Sequence, residues 1–373
     1  MKKIYVTKPY LPSKEKYIKY IEQIWDNGIL TNYGPLYTKL SKKIEKLINN
    51  DNINLYCNGH QALEILIKSL EMPLGGEIIT TPFTFISTTH AIVNCGYEPV
   101  FCDIKMSDYT IDEDKIEELI SEKTVAILAV HVYGFPCNLE KIEKIAKKYK
   151  LKVIYDAAHA FGVSYKGNNI LNYGDISMSS FHATKLFNTI EGGITVSASK
   201  ELCEKQKKIQ NFGIAGYDDV ELVGTNAKMS EFNAAMGLAT IGDLKKIIRK
   251  RKKLVNLYKK YLDKIDGITT YSFNDSNIEY NYAYFPIVID ENVYGLSRDK
   301  VKELLESYGI FPRKYFYPLT CDMTCYKESN FSFLEYNVDN ARYVSNNVLT
   351  LPLYCELEEE VVEKICDILR RKK

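Results

Sequence analysis

The sequence predicts an α/β protein with a large, mostly parallel seven-stranded sheet wrapped by helices, followed by a smaller C-terminal α+β domain. Three observations predict it. Short β-branched or apolar runs alternate with longer helical patterns between residues 53 and 197, the pattern of strand–helix–strand units. The texture then changes near residue 228, where a long stretch of helical periodicity begins. Finally, 373 residues of which 46% are apolar can bury one large or two moderate cores.

The strands are expected at INLYC (53–57), EIITT (77–81), PVFCD (99–103), VAILAV (125–130), KVIYD (152–156), ISMSSF (176–181) and GITVS (193–197). Between them, helical patterns lie at ALEILIKSLE (62–71), ISTTHAIVNCG (86–96), DEDKIEELI (112–120) and NLEKIEKIAKKY (138–149). In the last of these Leu139, Ile142, Ile145 and Ala146 recur at helical spacing. From Ser230 to Ile265 the periodicity predicts one long connecting helix, whose basic run RKRKK (249–253) reads as a solvated face between Ile247, Ile248, Leu254 and Leu257. Beyond it, YNYAYFPIVID (280–290), a helix at 298–309 and a closing helix at 356–373 form the smaller domain. The division is therefore expected as a large domain at 1–245 and a small one at 246–373, with the N-terminal ~35 residues contacting the latter.

Composition excludes several classes. Lys plus Arg count 49 against 48 for Asp plus Glu, so the net charge is +1 and nothing concentrates the chain on nucleic acid or anionic lipid. The first residues mix charges and tyrosines where a signal peptide has an apolar run, and no stretch reaches the ~18 apolar residues of a membrane span. The expectation is a cytoplasmic enzyme with no membrane or nucleic-acid partner. Nine cysteines, most of them within apolar runs, read as small buried side chains in a reducing compartment. The close pair Cys321 and Cys325 lacks the second pair that four-ligand zinc needs, so no metal is expected. All five histidines lie in the first half of the chain, which directs the search for chemistry there.

In KVIYDAAHAFG the apolar strand ends at Asp156, placing a carboxylate at the carboxyl edge of the sheet, where open α/β folds bind ligands. A turn-capping role is the simpler alternative. In GDISMSSFHATKLFNTIEGG another strand runs into Ser180 and Lys185, and the glycine pair Gly192–Gly193 follows. A lysine near a strand end, flanked by hydroxyls and followed by glycines, has the makings of a Schiff-base nucleophile, because burial lowers the pKa of its amine. By itself Lys185 could equally be a surface charge. Paired with Asp156, it meets the two requirements of pyridoxal phosphate: a carboxylate on the ring nitrogen and a lysine on the aldehyde.

The strings YDAAHAFG, SFHATKLFNTIEGG and GTNAKMSEFNAAMGLA, with ILTNYGPL (29–36) before them and RKYFYPL (313–319) after, resemble the DegT/DnrJ/EryC1/StrS family of pyridoxal-phosphate-dependent sugar aminotransferases. Within it the chain is most similar to enzymes that aminate dTDP-linked 4-keto-6-deoxyglucose. The resemblance implies the fold-type-I, aspartate-aminotransferase-like architecture and a homodimer with shared active sites. It makes Lys185 the catalytic Schiff-base lysine and proton carrier, and Asp156 the partner of the pyridine nitrogen. His159 falls where the family has Gln or His near the phenolic oxygen. Gly59 and His60, at a helix start, and Ser180 fall on the phosphate-binding positions. Asn226 matches the residue that reaches the phosphate from the neighbouring subunit, and Phe85 the aromatic stacked on the ring. The implied partners are a nucleotide-linked keto-6-deoxy sugar and L-glutamate, with pyridoxamine phosphate alternating with pyridoxal phosphate. The alternatives are amination at C3, a pyridoxamine-phosphate-dependent sugar dehydratase, and a non-catalytic pyridoxal-phosphate-binding regulatory module. Three positions depart from the family pattern: His60 replaces Ser or Thr, Lys228 replaces Arg, and Thr320 replaces His.

Overall fold

The structure is a computed structural model that describes residues 3–271, 275–327 and 337–372. All seven expected strands form, as β1 (Ile53–Tyr56), β2 (Glu77–Thr80), β3 (Glu98–Phe101), β4 (Thr124–Val130), β5 (Lys152–Asp156), β6 (Ile176–Ser180) and β7 (Gly193–Ser197). They make one seven-stranded sheet in the order β1-β7-β6-β5-β4-β2-β3. Only β7 runs against its neighbours, so the carboxyl ends of the other six strands share one edge with the start of β7. Strands covered by helices on both faces bury nearly every side chain, which is why they read as continuous apolar runs. Pro99, which has no N–H for a ladder, is accommodated because β3 is an edge strand.

Helix Gly59–Ser69 starts three residues earlier than its apolar periodicity, because Asn58 Oδ1 accepts from the Gln61 N–H and caps it. Helices Ile86–Asn94 and Leu139–Tyr149 lie where the periodicity put them. The expected helix at 112–120 is instead a series of turns with one short 3₁₀ stretch, Glu117–Leu119. Its first acidic residue explains the difference, since Asp112 Oδ1 takes the Asp114 N–H into a local turn that competes with a helix.

The long connecting helix is two helices, Glu231–Thr240 and Leu244–Leu262, separated by the 3₁₀ turn Ile241–Asp243. At the break the Thr240 hydroxyl lies within hydrogen-bonding distance of the Met236 and Gly237 carbonyls, and Gly242 follows. The basic run is not wholly solvated either. Arg251 is buried on the same face as Ile247, Leu254 and Val255, and its Nη1 donates to the Ala283 carbonyl at 2.8 Å.

The chain then forms the antiparallel sheet of Ile268–Thr270, Phe285–Ile289 and Val348–Leu351. Helices Arg298–Ser307 and Glu359–Arg371 accompany it, the latter packing along Leu244–Leu262; Lys373 lies outside the described residues. The N-terminal Ile4–Tyr5 pairs in parallel with Ile310–Phe311, which joins the start of the chain to this sheet's surroundings. No helix among the described residues is long and apolar enough to cross a membrane.

Candidate active site

The register of β7 assembles the site. Gly193 stands between Tyr56 and Ser180, so the turn after β1 and the end of β6 meet at one point on the carboxyl edge. A Cβ at Gly193 would lie 2.8 Å from the Asn58 carbonyl oxygen and from Gly59 Cα, and only glycine permits that approach. A Cβ at Gly59 would in turn sit 3.0 Å from Ser180 Cβ. With Gln61 N–H taken by the Asn58 cap, the first N–H groups of the helix, those of Gly59 and His60, have no intrahelical acceptor, and the helix starts at this crowded corner. Donors of that kind suit a phosphate.

Lys185 lies on the β6–β7 connection. Two backbone bonds close that connection at its base, Phe181 N–H to the Gly192 carbonyl at 2.8 Å and Thr189 N–H to the Phe181 carbonyl at 2.9 Å. The lysine shares a cavity with His159, Ser180, Thr184, Asn281 and Tyr284. Burial pushes its amine down to about 8, and the Asp156 charge opposes that fall only in part. Asp156, at the end of β5, is 4% exposed. Its Oδ2 accepts from Thr88 Oγ1 at 2.8 Å and its Oδ1 from the Ala158 N–H at 3.0 Å. Burial raises its carboxyl while these two donors hold it down.

His159 Nδ1 accepts from the Tyr133 N–H at 3.0 Å, and its ring stacks on Phe316 and packs against Tyr284. Burial, followed by the neighbouring Lys185 charge, holds it well below the usual imidazole range. Phe85 caps helix Ile86–Asn94 and is 60% exposed.

The structure thus gathers Gly59, Ser180, Asp156, His159 and Lys185 at one strand edge, and it turns the His60 side chain aside. His60 Nδ1 is 2.8 Å from Ser87 Oγ, and its Nε2 is 3.2 Å from Glu64 Oε1. Asn226 is exposed and does not line the lysine's cavity; its Oδ1 accepts from Lys228 Nζ at 3.0 Å. Lys228 also donates to Asn211 Oδ1 at 2.6 Å and lies over Phe212. Thr320 is fully buried and its hydroxyl accepts from Thr89 at 2.9 Å, so it offers no open side chain to a substrate. Sequence reasoning missed Thr88, Tyr133, Asn281 and Tyr284, which support the named residues from distant segments. Of the other histidines, His131 is a core residue stacked on Tyr155.

A lysine amine and a buried carboxylate lie on this sheet edge with helix N–H donors beside them, an arrangement suited to a cofactor that carries an aldehyde and an anionic group. Solved structures share the fold. DesI, crystallised in the presence of its TDP-sugar product, superposes with a TM-score of 0.93 at 28% identity, covering 100% of this chain and 93% of DesI. Helicobacter pylori PseC, an aminotransferase involved in pseudoaminic acid biosynthesis, gives 0.92 at 25% identity with 99% of each chain covered. The chain belongs to the DegT/DnrJ/EryC1/StrS aminotransferase family, whose model matches residues 12–370. It is 41% identical over 372 residues, the whole of both chains, to a dTDP-4-amino-4,6-dideoxy-D-glucose transaminase of Shigella dysenteriae. It is 42% identical to the Escherichia coli transaminase of the same name, over 100% of this chain and 99% of that one. Membership of an aminotransferase family implies pyridoxal phosphate, and the buried lysine, the carboxylate and the glycine-lined corner fit that group.

Proposed function

We propose that this protein transfers an amino group from L-glutamate to dTDP-4-keto-6-deoxy-D-glucose, giving dTDP-4-amino-4,6-dideoxy-D-glucose, with pyridoxal phosphate as cofactor. The observation that carries the reading is that the buried Lys185 amine and the Asp156 carboxylate at the carboxyl edge lie near enough for each charge to shift the other. Full-length identity to two transaminases of that name supports the substrate.

When bound, pyridoxal phosphate supplies an aldehyde that carries the amino group and a ring that withdraws electrons when its nitrogen is protonated. Asp156 keeps a proton on that nitrogen. Lys185, with its amine lowered to about 8, is partly neutral near physiological pH and can take up and return a proton at Nζ. His159, whose Nδ1 already accepts a bond, presents its Nε2–H as a donor to the phenolic oxygen. Gly59 and His60 N–H groups and the Ser180 hydroxyl hold the phosphate, and the Phe85 ring covers one face of the cofactor. The presence of Lys185 favours transamination over sugar dehydration, for which the family substitutes histidine.

The working unit is a homodimer in the cytoplasm. Asn226 sits away from its own chain's lysine cavity, which suits a residue that serves the partner's phosphate. Exposed Trp25, Leu30, Tyr217 and Val223 supply apolar surface for such a contact.

The decisive test is incubation of the purified protein with dTDP-4-keto-6-deoxyglucose and glutamate, with mass and proton NMR spectra of the product. A 4-amino sugar is expected; a 3-amino product or a dehydrated sugar would overturn the assignment.

A further inference from the structure

We propose that Thr88 positions the Asp156 carboxylate for the cofactor's ring nitrogen, and that Thr84 holds Thr88 in turn. The inference rests on the reading that Asp156 serves that nitrogen.

The geometry is a one-way relay of hydroxyls. Thr88 Oγ1 donates to Asp156 Oδ2 at 2.8 Å, which uses its single hydroxyl hydrogen. The 2.9 Å contact between Thr84 Oγ1 and Thr88 Oγ1 must therefore have Thr84 as donor. Both threonines are buried, at 3% and 1% exposure, so water cannot replace either. The relay brackets the residue proposed to cover the ring: Phe85 lies between the two threonines, and the Thr88 N–H donates to the Phe85 carbonyl at 3.1 Å. One helical turn thus carries both Phe85 and the hydroxyl that reaches the carboxylate. Its neighbours are engaged elsewhere, Ser87 with His60 and Thr89 with Thr320, which leaves Thr88 as the side chain of this turn that reaches Asp156.

A buried carboxylate with one donor removed is pushed toward its neutral form. Neutral Asp156 could not keep the ring nitrogen protonated. Thr88 thereby acts through Asp156 and does not itself touch the reacting atoms.

The test uses holoenzyme reconstituted with ring-nitrogen-labelled pyridoxal phosphate, read by nitrogen NMR and by the cofactor dissociation constant. Thr88→Val, which keeps the shape, should move the ring-nitrogen resonance toward the unprotonated position and weaken cofactor binding on the order of tenfold. Thr88→Ser should restore both, and Thr84→Val should show a smaller shift in the same direction, which serves if Thr88→Val does not fold. Asp156→Asn separates the two readings. If Asp156→Asn moves the resonance and neither threonine variant does, the Thr88 role is wrong. If Asp156→Asn also leaves it unmoved, the assignment of Asp156 itself fails.

Discussion

The Tyr133 backbone N–H donates to His159 Nδ1, and this bond fixes the imidazole as the Nε2–H tautomer. With the ring held well below its usual range, it stays a neutral donor across the working pH. His159→Gln, which retains an N–H donor, should keep kcat/KM within about tenfold, while His159→Leu should lose on the order of a hundredfold. The wild-type pH profile should show no limb near pH 6.5 that His159→Gln removes.

In the cofactor-free protein, the Lys185 amine should titrate near 8. The rate of pyridoxal phosphate capture should rise through that pH as the neutral amine forms, and borohydride should fix the cofactor to the tryptic peptide containing Lys185. Because the Asp156 charge raises this amine, Asp156→Asn should shift the capture profile to lower pH. An unchanged profile would separate the two groups electrostatically.

His131 makes native stability sensitive to acid. Burial holds it at about 3 in the folded chain, while an unfolded histidine titrates near ~6.5. Its contribution is therefore complete above pH ~6.5 and is lost as pH falls, by about 1.4 kcal/mol per pH unit, since only the unfolded state takes up the proton. Urea unfolding of His131→Phe across pH 4–7 should show a flatter acid limb than wild type.

Glu231 is fully buried and its carboxylate accepts from the Leu36 and Tyr37 N–H groups, both at 2.7 Å, at the start of helix Pro35–Ile48. Glu231→Gln should cost about 1–3 kcal/mol in urea unfolding. Gly34→Ala should be similarly harmful, because its Cβ would fall 2.6 Å from the Glu231 carboxyl carbon.

The proposed sharing of sites can be checked in mixed dimers. Lys185→Ala chains, which have Asn226, are combined with Asn226→Ala chains, which have the lysine. The lysine-bearing site should regain cofactor affinity over the pure Asn226→Ala protein. Heterodimers without recovery would place Asn226 outside the partner's site.

The fold was legible in the sequence where burial decides it: strands covered on both faces leave apolar runs that can be counted. Ser180, Lys185 and Gly193 were legible because one motif spans the end of β6, its connection and the start of β7. Thr88 was not, since ISTTH reads only as helix, and nothing local marks a hydroxyl whose partner lies 68 positions away. Arg251 was misread because a basic run looks solvated throughout, whereas helical geometry turns one member inward every three or four residues. At 112–120 the apolar period suggested a helix, but a side-chain turn at Asp112 was the stronger local term.

The reversed strand β7 also sets a timetable for folding. Its pairing with β6 spans only the loop that carries Lys185, whereas its pairing with β1 joins Gly193 to Tyr56 across most of the sheet-forming sequence. Loop closure disfavours the second contact until much of the chain has collapsed. The lysine's tether is thus an early, local product of folding, and the proposed phosphate corner a late, long-range one. A nascent chain can shape the first without the second, so the protein becomes able to retain its cofactor only when the edge strand docks.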